Sequence, residues 1–450
     1  MRSAAPRLFT AVLAALLFWC VRAPWMAQPL VGEEGLYAHL YDDRPAGPDY
    51  GLMCRIRGAA VWSELDHPAP LYEWMRGIGY LARSAGMAAP PSGTARIVWA
   101  RVLNCLPQWL AWTFLAFVLE PGLASVLVLA CLMALPMAVG ASLYLQTDTT
   151  CGWLLGAFLG LAAFKGRTPW LWAAAAAVGF LGKQEWLVCL CLAMGLTLFW
   201  NALALRRGGR GGAGLGAVAG TGAAAALGAW AARAVDPGNW DGGLYLMVHL
   251  GGGQNILSHP EAMGRWLHGL GNRALFLWPL LLGLGLQTWL ALREGWTRTP
   301  LGRRFALGWS WGLTLPFLVS IWGVEYRYFA PAMAAVSTAL ALQAQDLFGS
   351  MERRRLARNG IIALGCIVCL DCAAGWGGRS ITEIPGALTK DMQIKQAWVV
   401  AEAAKTGCVP FVSVSYEWMM SLPDFAGSAL GREGAQSWLA RSPGHAWLCP

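Results

Sequence analysis

The chain has 450 residues, of which 56% are hydrophobic and only 13% are charged, and its mean hydropathy is +0.45. Soluble domains carry about a quarter charged residues, so the composition argues against a soluble fold and predicts an all-α polytopic membrane protein. The net charge of +9 does not indicate nucleic-acid binding, because it follows from basic residues gathered in loops on one side of the membrane.

Runs of about 17 to 25 apolar residues predict about eleven transmembrane helices. The two runs between 149 and 183 are short for a full crossing, so tilted, broken and re-entrant helices all remain open there. The predicted spans are 8–30, 98–119, 123–144, 149–164, 169–183, 186–205, 213–232, 274–292, 305–322, 328–346 and 360–376.

The first span, with its basic start and apolar middle, resembles a signal peptide, and we expect it to be retained as a membrane helix rather than cleaved. Arg22 lies inside this span. A charge at that depth either reaches back to the interface or faces a polar interior, and the sequence leaves both alternatives open.

The basic residues of the short loops set the orientation. With a cytoplasmic N-terminus, the inner segments carry fifteen Lys and Arg residues, as the positive-inside rule requires. The chain is therefore expected in the cytoplasmic (inner) membrane, with an external C-terminus. These basic residues are Arg2, Arg7, Lys165, Arg167, Arg206, Arg207, Arg210, Arg293, Arg298, Arg303, Arg304, Arg353, Arg354, Arg355 and Arg358.

This topology predicts a transmembrane domain over residues 1–376 and a small external α/β domain over 377–450. Two long external loops, 31–97 and 233–273, belong to the first domain. In the C-terminal domain, "DMQIKQAWVVAEAAKTG" has helical spacing and "CVPFVSVS" alternates like a strand. Cys408 and Cys449 both lie there, and a disulfide between them is one of two open alternatives.

The first external loop opens with "VGEEGLYAHLYDD", residues 31–43, which carries four carboxylates. It continues with "ELDHPAPLYEWMRGIGYLARSAG", residues 64–86, whose apolar residues at 71, 74, 75, 78 and 81 recur at helical spacing. This spacing, with basic residues at 76 and 83, predicts a helix lying in the plane of the membrane interface.

Five short motifs follow one another along the chain. An acidic pair followed by Gly-x-Tyr-Ala begins at Glu33, and "DHPAPLY" opens the predicted interfacial helix. "LYLQTDTT", "GFLGKQEWL" and "WGVEYRYFAPAMAAVSTALAL" come later, at 143–150, 179–187 and 322–342. In order and approximate spacing, the set resembles the GT-C membrane glycosyltransferases, especially the branch of protein mannosyltransferases and lipid A aminoarabinose transferases (glycosyltransferase family 39-like).

The resemblance implies a hexosyl- or pentosyltransferase, expected to be inverting, that acts at the outer face of the membrane. Its donor would be a sugar carried on polyprenyl phosphate, and its acceptor a lipid, a glycan or a protein. The expected partners are this donor, this acceptor and membrane lipids, with no nucleic acid. The sequence identifies no cofactor, although a divalent metal remains open; no metal-binding residues are assigned.

The resemblance places the catalytic acidic pair at Glu33 and Glu34. An acceptor hydroxyl needs a carboxylate to take its proton as the new bond forms. The family usually has Asp first, so Glu33 departs from the pattern, and either glutamate could be the base. An ordinary solvated loop is the alternative interpretation of these carboxylates.

The leaving polyprenyl phosphate gains negative charge, so cationic groups should line the site. The best candidate for phosphate binding is Arg327, whose planar guanidinium can hold two oxygens. The alternative is that Arg327 simply lies at the membrane interface and binds no substrate. Arg101, Lys183 and His67 are further donor-binding candidates. The residues expected to line the substrate cavity are Asp66, Asp148, Glu185, Tyr37 and Tyr328.

Structural roles compete with several of these assignments. Asp66 and His67 could instead cap the interfacial helix, and Lys183 with Glu185 could form a structural ion pair. A transporter or flippase of a polyprenyl-linked glycolipid is the alternative function, since it too would need a basic cavity and external loops. A noncatalytic scaffold for envelope assembly explains clustered intramembrane charges less well.

Overall fold

The computed structural model describes a largely helical set of segments. They are 4–27, 41, 69–90, 93–119, 123–145, 152–157, 161, helical positions scattered between 192 and 226, 259–294, 301–319, 329–349, 409–412 and 445–448. The predicted spans at 169–183 and 360–376 and the predicted helix of the C-terminal domain lie outside these residues.

Eight helices and two strands are defined among the described residues. The helices are α1 (Ala4–Arg22), α2 (Ala69–Ser84), α3 (Gly93–Val118), α4 (Leu123–Ala134), α5 (Pro136–Leu143), α6 (Met263–Glu294), α7 (Leu301–Val319) and α8 (Ala330–Gly349). The strands are β1 (Val409–Val412) and β2 (His445–Leu448).

Contacts between Cα atoms divide the chain into two compact units. The first contains Met1–Val21, Pro107–Ala141 and Asp148–Ser380. The second contains Arg22–Leu106, Ser142–Thr147 and Ile381–Pro450.

Helix α8 forms the centre of the first unit and packs against α4, α6 and α7. Its residues from 330 to 339 are all buried, and most of them are small, as in "APAMAAVSTA". Small side chains allow helix backbones to approach closely, which is how helices associate where burial of large apolar groups gives no extra stability.

Close helix contacts in this unit coincide with glycines. The backbone at Gly156 lies against the carbonyl of Pro331, and Gly283 of α6 lies against the side chain of Val336 in α8. A methyl group at either position would overlap with those atoms, so each glycine sets the distance between two packed segments.

Helices α6 and α7 are also joined by hydrogen bonds along their length. The Trp266 indole donates to the carbonyl of Leu318 at 2.8 Å, and the Trp311 indole donates to the Thr288 hydroxyl at 3.1 Å. The helices therefore run antiparallel, as a short connection between consecutive helices favours.

The span predicted at 123–144 is divided into α4 and α5 at Leu135. Pro136 begins α5, where a missing backbone N–H costs nothing because the first N–H groups of a helix have no partner within it. The prediction of one continuous helix was therefore wrong here, and the sequence "ALPMAVG" contains the proline that ends α4.

Helix α2 confirms the helix predicted in the first external loop, and its end has an identifiable cause. Gly86 takes a left-handed conformation, with φ of 85°. The Met87 N–H donates to the Ala82 carbonyl and the Gly86 N–H to the Arg83 carbonyl, both at 2.9 Å. This Schellman motif satisfies the last carbonyls of the helix and needs a residue that tolerates positive φ.

The apolar residues predicted to form one face of α2 differ in their exposure to solvent. Met75 is buried and Ile78 is half-buried, whereas Leu81 and the neighbouring Tyr80 are exposed. The inner face is instead shared by Met75, Gly79, Ala82 and the buried Arg76. The charge that was expected on the polar side of an interfacial helix thus points into the protein.

Several helices bury polar groups and expose apolar ones. In α1, Phe9 is 70% exposed, whereas the Arg22 side chain at the end of the helix is 0% exposed. In α3, Leu110 and Phe114 are exposed and Gln108 is buried. This arrangement is the reverse of the one found in soluble proteins.

One described helix is both long enough and apolar enough to cross a membrane by itself, the stretch Ala5–Trp25. Two shorter apolar stretches, Leu280–Arg293 and Ala330–Leu342, lie within α6 and α8.

Strands β1 and β2 form an antiparallel pair in the C-terminal segment. Val409 is opposite Leu448 and Val412 is opposite His445. A strand was expected at 408–415, and the described strand covers its first half; β2 had no counterpart in the sequence analysis.

Candidate functional site

A set of hydrogen-bonded polar groups lies along one face of the first half of α3. Arg101 and Asn104 are three residues apart, so their side chains project from the same side of the helix. Both side chains are buried. We call Arg101, Asn104 and the groups hydrogen-bonded to them the α3 polar cluster, and every member belongs to the second unit.

The Asn104 side chain makes three hydrogen bonds. Its Nδ2 donates to the carbonyls of Ser142 at 2.7 Å and Tyr144 at 2.9 Å. Its Oδ1 accepts from the Tyr41 hydroxyl at 2.9 Å. Ser142 and Tyr144 lie at the end of α5, where the last carbonyls lack partners within the helix, so Asn104 caps that end from a neighbouring helix.

Arg101 binds the chain that follows α1. Its Nη1 donates to the carbonyls of Trp25 and Met26, each at 3.2 Å. A planar guanidinium suits two adjacent acceptors, and the side chain is 0% exposed. Arg101 therefore holds the backbone just after the end of α1, ahead of the segment that bears Glu33 and Glu34.

Arg22 is the last residue of α1 and reaches the same part of the molecule. Its Nε donates to the Ser142 hydroxyl at 2.6 Å, and the Cys105 thiol donates to the Ser142 carbonyl at 3.3 Å. Of the two alternatives for Arg22, the structure shows the inward-facing one. Ser142 thus links the ends of α1 and α5 to α3.

Tyr41 is the one described residue between Ala27 and Ala69, and it is 1% exposed. Besides the bond from its hydroxyl to Asn104, its carbonyl accepts a hydrogen bond from Arg83 Nη1 at 2.6 Å. The backbone of Gly79, also in α2, packs against the same carbonyl. Tyr41 is therefore held by α3 on one side and by α2 on the other.

The second unit buries several cationic side chains, one of which, Arg101, belongs to the α3 polar cluster. Arg22, Arg76 and Arg101 are all buried in the second unit, and buried charges persist only where hydrogen bonds and opposite charge compensate for lost hydration. The chain next to this cluster carries acidic residues. Glu33 and Glu34 lie between Met26 and Tyr41 in sequence, and Asp148 follows Tyr144 by four residues.

Of the site residues predicted from the sequence, only Arg101 belongs to the described part of the chain. Its described hydrogen bonds go to backbone carbonyls, while its role in donor binding stays a prediction. The other predicted site residues lie outside the described residues. They are Glu33, Glu34, Tyr37, Asp66, His67, Asp148, Lys183, Glu185, Arg327 and Tyr328.

Sequence analysis did not single out Asn104, Tyr41 or Ser142. For Asn104 a signal was available, because an amide inside a predicted span is costly unless it has a partner and so points to a specific role. For Tyr41 and Ser142 no comparable signal exists, since tyrosine in an acidic stretch and serine in a span are both common.

Within the described part of the chain, no group of three or more His, Cys, Asp or Glu side chains is placed to hold a metal ion. The nearest approach to such a group is the pair His259 and Glu261, whose Nδ1 and Oε1 atoms are 2.7 Å apart at the exposed start of α6. This pair fits a local ion pair at a helix N-terminus.

Comparison with protein-family models, curated protein sequences and solved structures found no match for this chain.

Proposed function

We propose that this protein is a polytopic GT-C-type glycosyltransferase of the cytoplasmic membrane. It transfers a sugar from a polyprenyl-phosphate donor to a lipid, glycan or protein acceptor at the outer face. The observation that carries the proposal is the buried α3 polar cluster, in which Arg101 holds Trp25 and Met26 and Asn104 holds Tyr41, on the two sides of the segment bearing Glu33 and Glu34.

A membrane location is supported by the direction in which side chains face. Exposed leucine and phenylalanine side chains cover the outer sides of α1, α3 and α6, while arginine and amide groups are buried. Lipid is the solvent that makes exposed apolar side chains favourable. Trp289 and Arg293 near the end of α6 form a cation–π pair, with the guanidinium carbon 5.2 Å from the ring centroid, as expected of residues at a membrane interface.

The chemistry of the α3 polar cluster agrees with that of the proposed substrates. The donor brings a phosphate, so its site must supply positive charge in a region of low dielectric, where such charge acts strongly. Arg22, Arg76 and Arg101, all buried in the second unit, carry charge of the required sign. Carboxylates close to them in sequence supply the base that an acceptor hydroxyl needs.

The proposed reaction exchanges one bond at the anomeric carbon for another. The acceptor oxygen forms a bond to the anomeric carbon as the bond from that carbon to the phosphate oxygen breaks. The acceptor proton passes to Glu33 or Glu34, and the electron pair of the broken bond leaves with the polyprenyl phosphate. Cationic side chains, of which Arg327 is the first candidate, stabilise the charge on the departing phosphate.

The decisive experiment reconstitutes the purified protein in lipid nanodiscs with polyprenyl-phosphate sugars. Mass spectrometry of envelope lipids and glycans from a deletion strain first identifies the missing sugar and its acceptor. Transfer of that sugar by the wild-type protein is the expected result. A deletion strain with an unchanged envelope, or a reconstituted protein that moves the donor across the membrane without transferring sugar, would overturn the proposal in favour of a scaffold or a flippase.

The acidic pair provides the matched test of mechanism. We expect Glu33→Gln combined with Glu34→Gln to abolish transfer while leaving expression and membrane insertion unchanged. Asp42→Asn with Asp43→Asn, in the same acidic stretch, serves as the control and should retain transfer. Equal activity of all these variants would exclude a catalytic role for the pair.

A further inference from the structure

The α3 polar cluster connects two segments that are far apart in sequence. Tyr41 and Asn104 are separated by 63 positions, and Asn104 and Tyr144 by 40. One amide thus contacts Tyr41, within the acidic stretch 31–43, on one side and Ser142 and Tyr144, which precede Asp148, on the other. We propose that Asn104 and Tyr41 are positioning residues, which fix these two chain segments relative to each other on α3.

The directions of the hydrogen bonds explain why an asparagine is needed at position 104. Its two amide hydrogens go to the carbonyls of Ser142 and Tyr144, and its oxygen accepts from Tyr41. Both donor hydrogens and one acceptor site of the side chain are therefore used. An aspartate would lose both donors and would set a negative charge against two carbonyl oxygens, while a leucine of similar size would make none of the bonds.

The position of Tyr41 is fixed independently by α2. Its carbonyl accepts from Arg83, and the backbone of Gly79 packs against that carbonyl. Loss of the hydroxyl alone should therefore leave Tyr41 in place through its backbone while releasing it from Asn104. Tyr41→Phe accordingly removes one bond of the cluster without removing the residue's packing.

The same helix offers a control for the amide. Gln108 is one turn further along α3 and is 0% exposed, yet neither atom of its amide has a hydrogen-bond partner among the described residues. If the role of Asn104 were only to be a buried amide, replacing Gln108 would have the same effect. The two residues differ in that Asn104 joins separate segments of the chain.

The first measurement does not depend on the proposed function. Hydrogen–deuterium exchange is followed in nanodiscs for the peptides covering residues 26–41 and 142–150. We expect Tyr41→Phe to increase exchange in the first peptide and Asn104→Leu to increase it in both. Tyr80→Phe, which alters an exposed tyrosine of α2, and Gln108→Leu should leave both peptides unchanged. Unchanged exchange in Tyr41→Phe would overturn the inference.

The second measurement rests on the proposed function and uses sugar transfer. Tyr41→Phe should lower kcat about tenfold, the effect of losing roughly one well-placed hydrogen bond, while the KM for the donor changes less than about twofold. Such a split indicates lost alignment rather than lost binding. An unaltered kcat in a variant with increased exchange would also overturn the inference.

The two measurements separate the two proposals. A wild-type protein that transfers no sugar contradicts the proposed function, and the exchange experiment then still decides whether Tyr41 and Asn104 fix the two segments. If Asn104→Leu does not fold, Tyr41→Phe decides alone, because it keeps the aromatic ring and both backbone contacts.

Discussion

The backbone of Gly79 lies directly against the carbonyl group of Tyr41, so no side chain fits between α2 and this residue of the acidic stretch. The same carbonyl accepts a hydrogen bond from Arg83, one turn further along α2. A glycine and an arginine on one face of α2 therefore determine how closely this helix approaches the rest of the α3 polar cluster.

Substitution of Gly79 by alanine should destabilise the protein. A Cβ atom there overlaps with the Tyr41 backbone, and overpacking of this kind costs about 1–3 kcal/mol. Gly77→Ala is the matched control, because a Cβ atom at Gly77 meets nothing within 4 Å and alanine favours a helix by up to about 1 kcal/mol. Thermal unfolding in detergent, followed by tryptophan fluorescence, should show opposite shifts in Tm. Equal Tm values would contradict the close approach.

Gln108→Leu should raise the stability of the protein by about 1 kcal/mol, because a buried amide that has no hydrogen-bond partner among the described residues loses hydration without compensation. Asn104→Leu should lower it by about 1–3 kcal/mol, since Ser142, Tyr144 and Tyr41 each lose a hydrogen bond. Unfolding in denaturant measures both changes. Destabilisation by Gln108→Leu would mean that a bound water or ligand satisfies this amide.

Gly283 and Gly285 of α6 provide a test of helix packing around α8. We expect Gly283→Ala to lower the free energy of unfolding by about 1–3 kcal/mol, because its methyl group would overlap with Val336. Gly285→Ala, where a Cβ atom meets nothing within 4 Å, should be neutral or stabilising. Combining Gly283→Ala with Val336→Ala should restore part of the loss, and the absence of any rescue would argue against this contact.

The pairing of β1 with β2 predicts that Cys408 and Cys449 form a disulfide. Val409 is opposite Leu448, and we expect the same antiparallel register, if extended by one position, to place Cys408 opposite Cys449. Directly opposed residues have Cα atoms at a separation that suits a disulfide. Mass spectrometry of peptides prepared without reduction should detect the linked pair. Free thiols at both positions in protein from an oxidising compartment would contradict it.

Apolar runs of adequate length were sufficient to predict the helices described at α1, α3, α6, α7 and α8, and the helical spacing of apolar residues predicted α2. The division between α4 and α5 was not predicted, because the apolar run 123–144 has the length of a single span even though it contains Pro136. Strand β2 was missed because "HAWL" is too short to show an alternating pattern. Short elements depend on their tertiary partners more than on their own sequence.

For the candidate site, the sequence identified residue types that suit a reaction but not the residues that hold the chain in place. Arg101 was selected as a cation for phosphate, whereas its described bonds go to the carbonyls of Trp25 and Met26. Every residue has a backbone carbonyl, so the identity of a residue does not show whether its carbonyl accepts such a bond. Contacts of this kind therefore cannot be inferred from residue patterns. Asn104 could have been found by treating every amide within a span as a candidate for interhelical bonding.

The bonds from Arg83, Arg101 and the amide nitrogen of Asn104 all end on main-chain carbonyls. Any amino acid supplies a carbonyl, so the acceptor positions at Trp25, Met26 and Tyr144 can drift during evolution without breaking these contacts. The donor positions have no such latitude. In saturation mutagenesis, we therefore expect most substitutions to be harmful at the three donor positions and tolerated at these three acceptor positions. Burial of the side chains alone would not predict this difference.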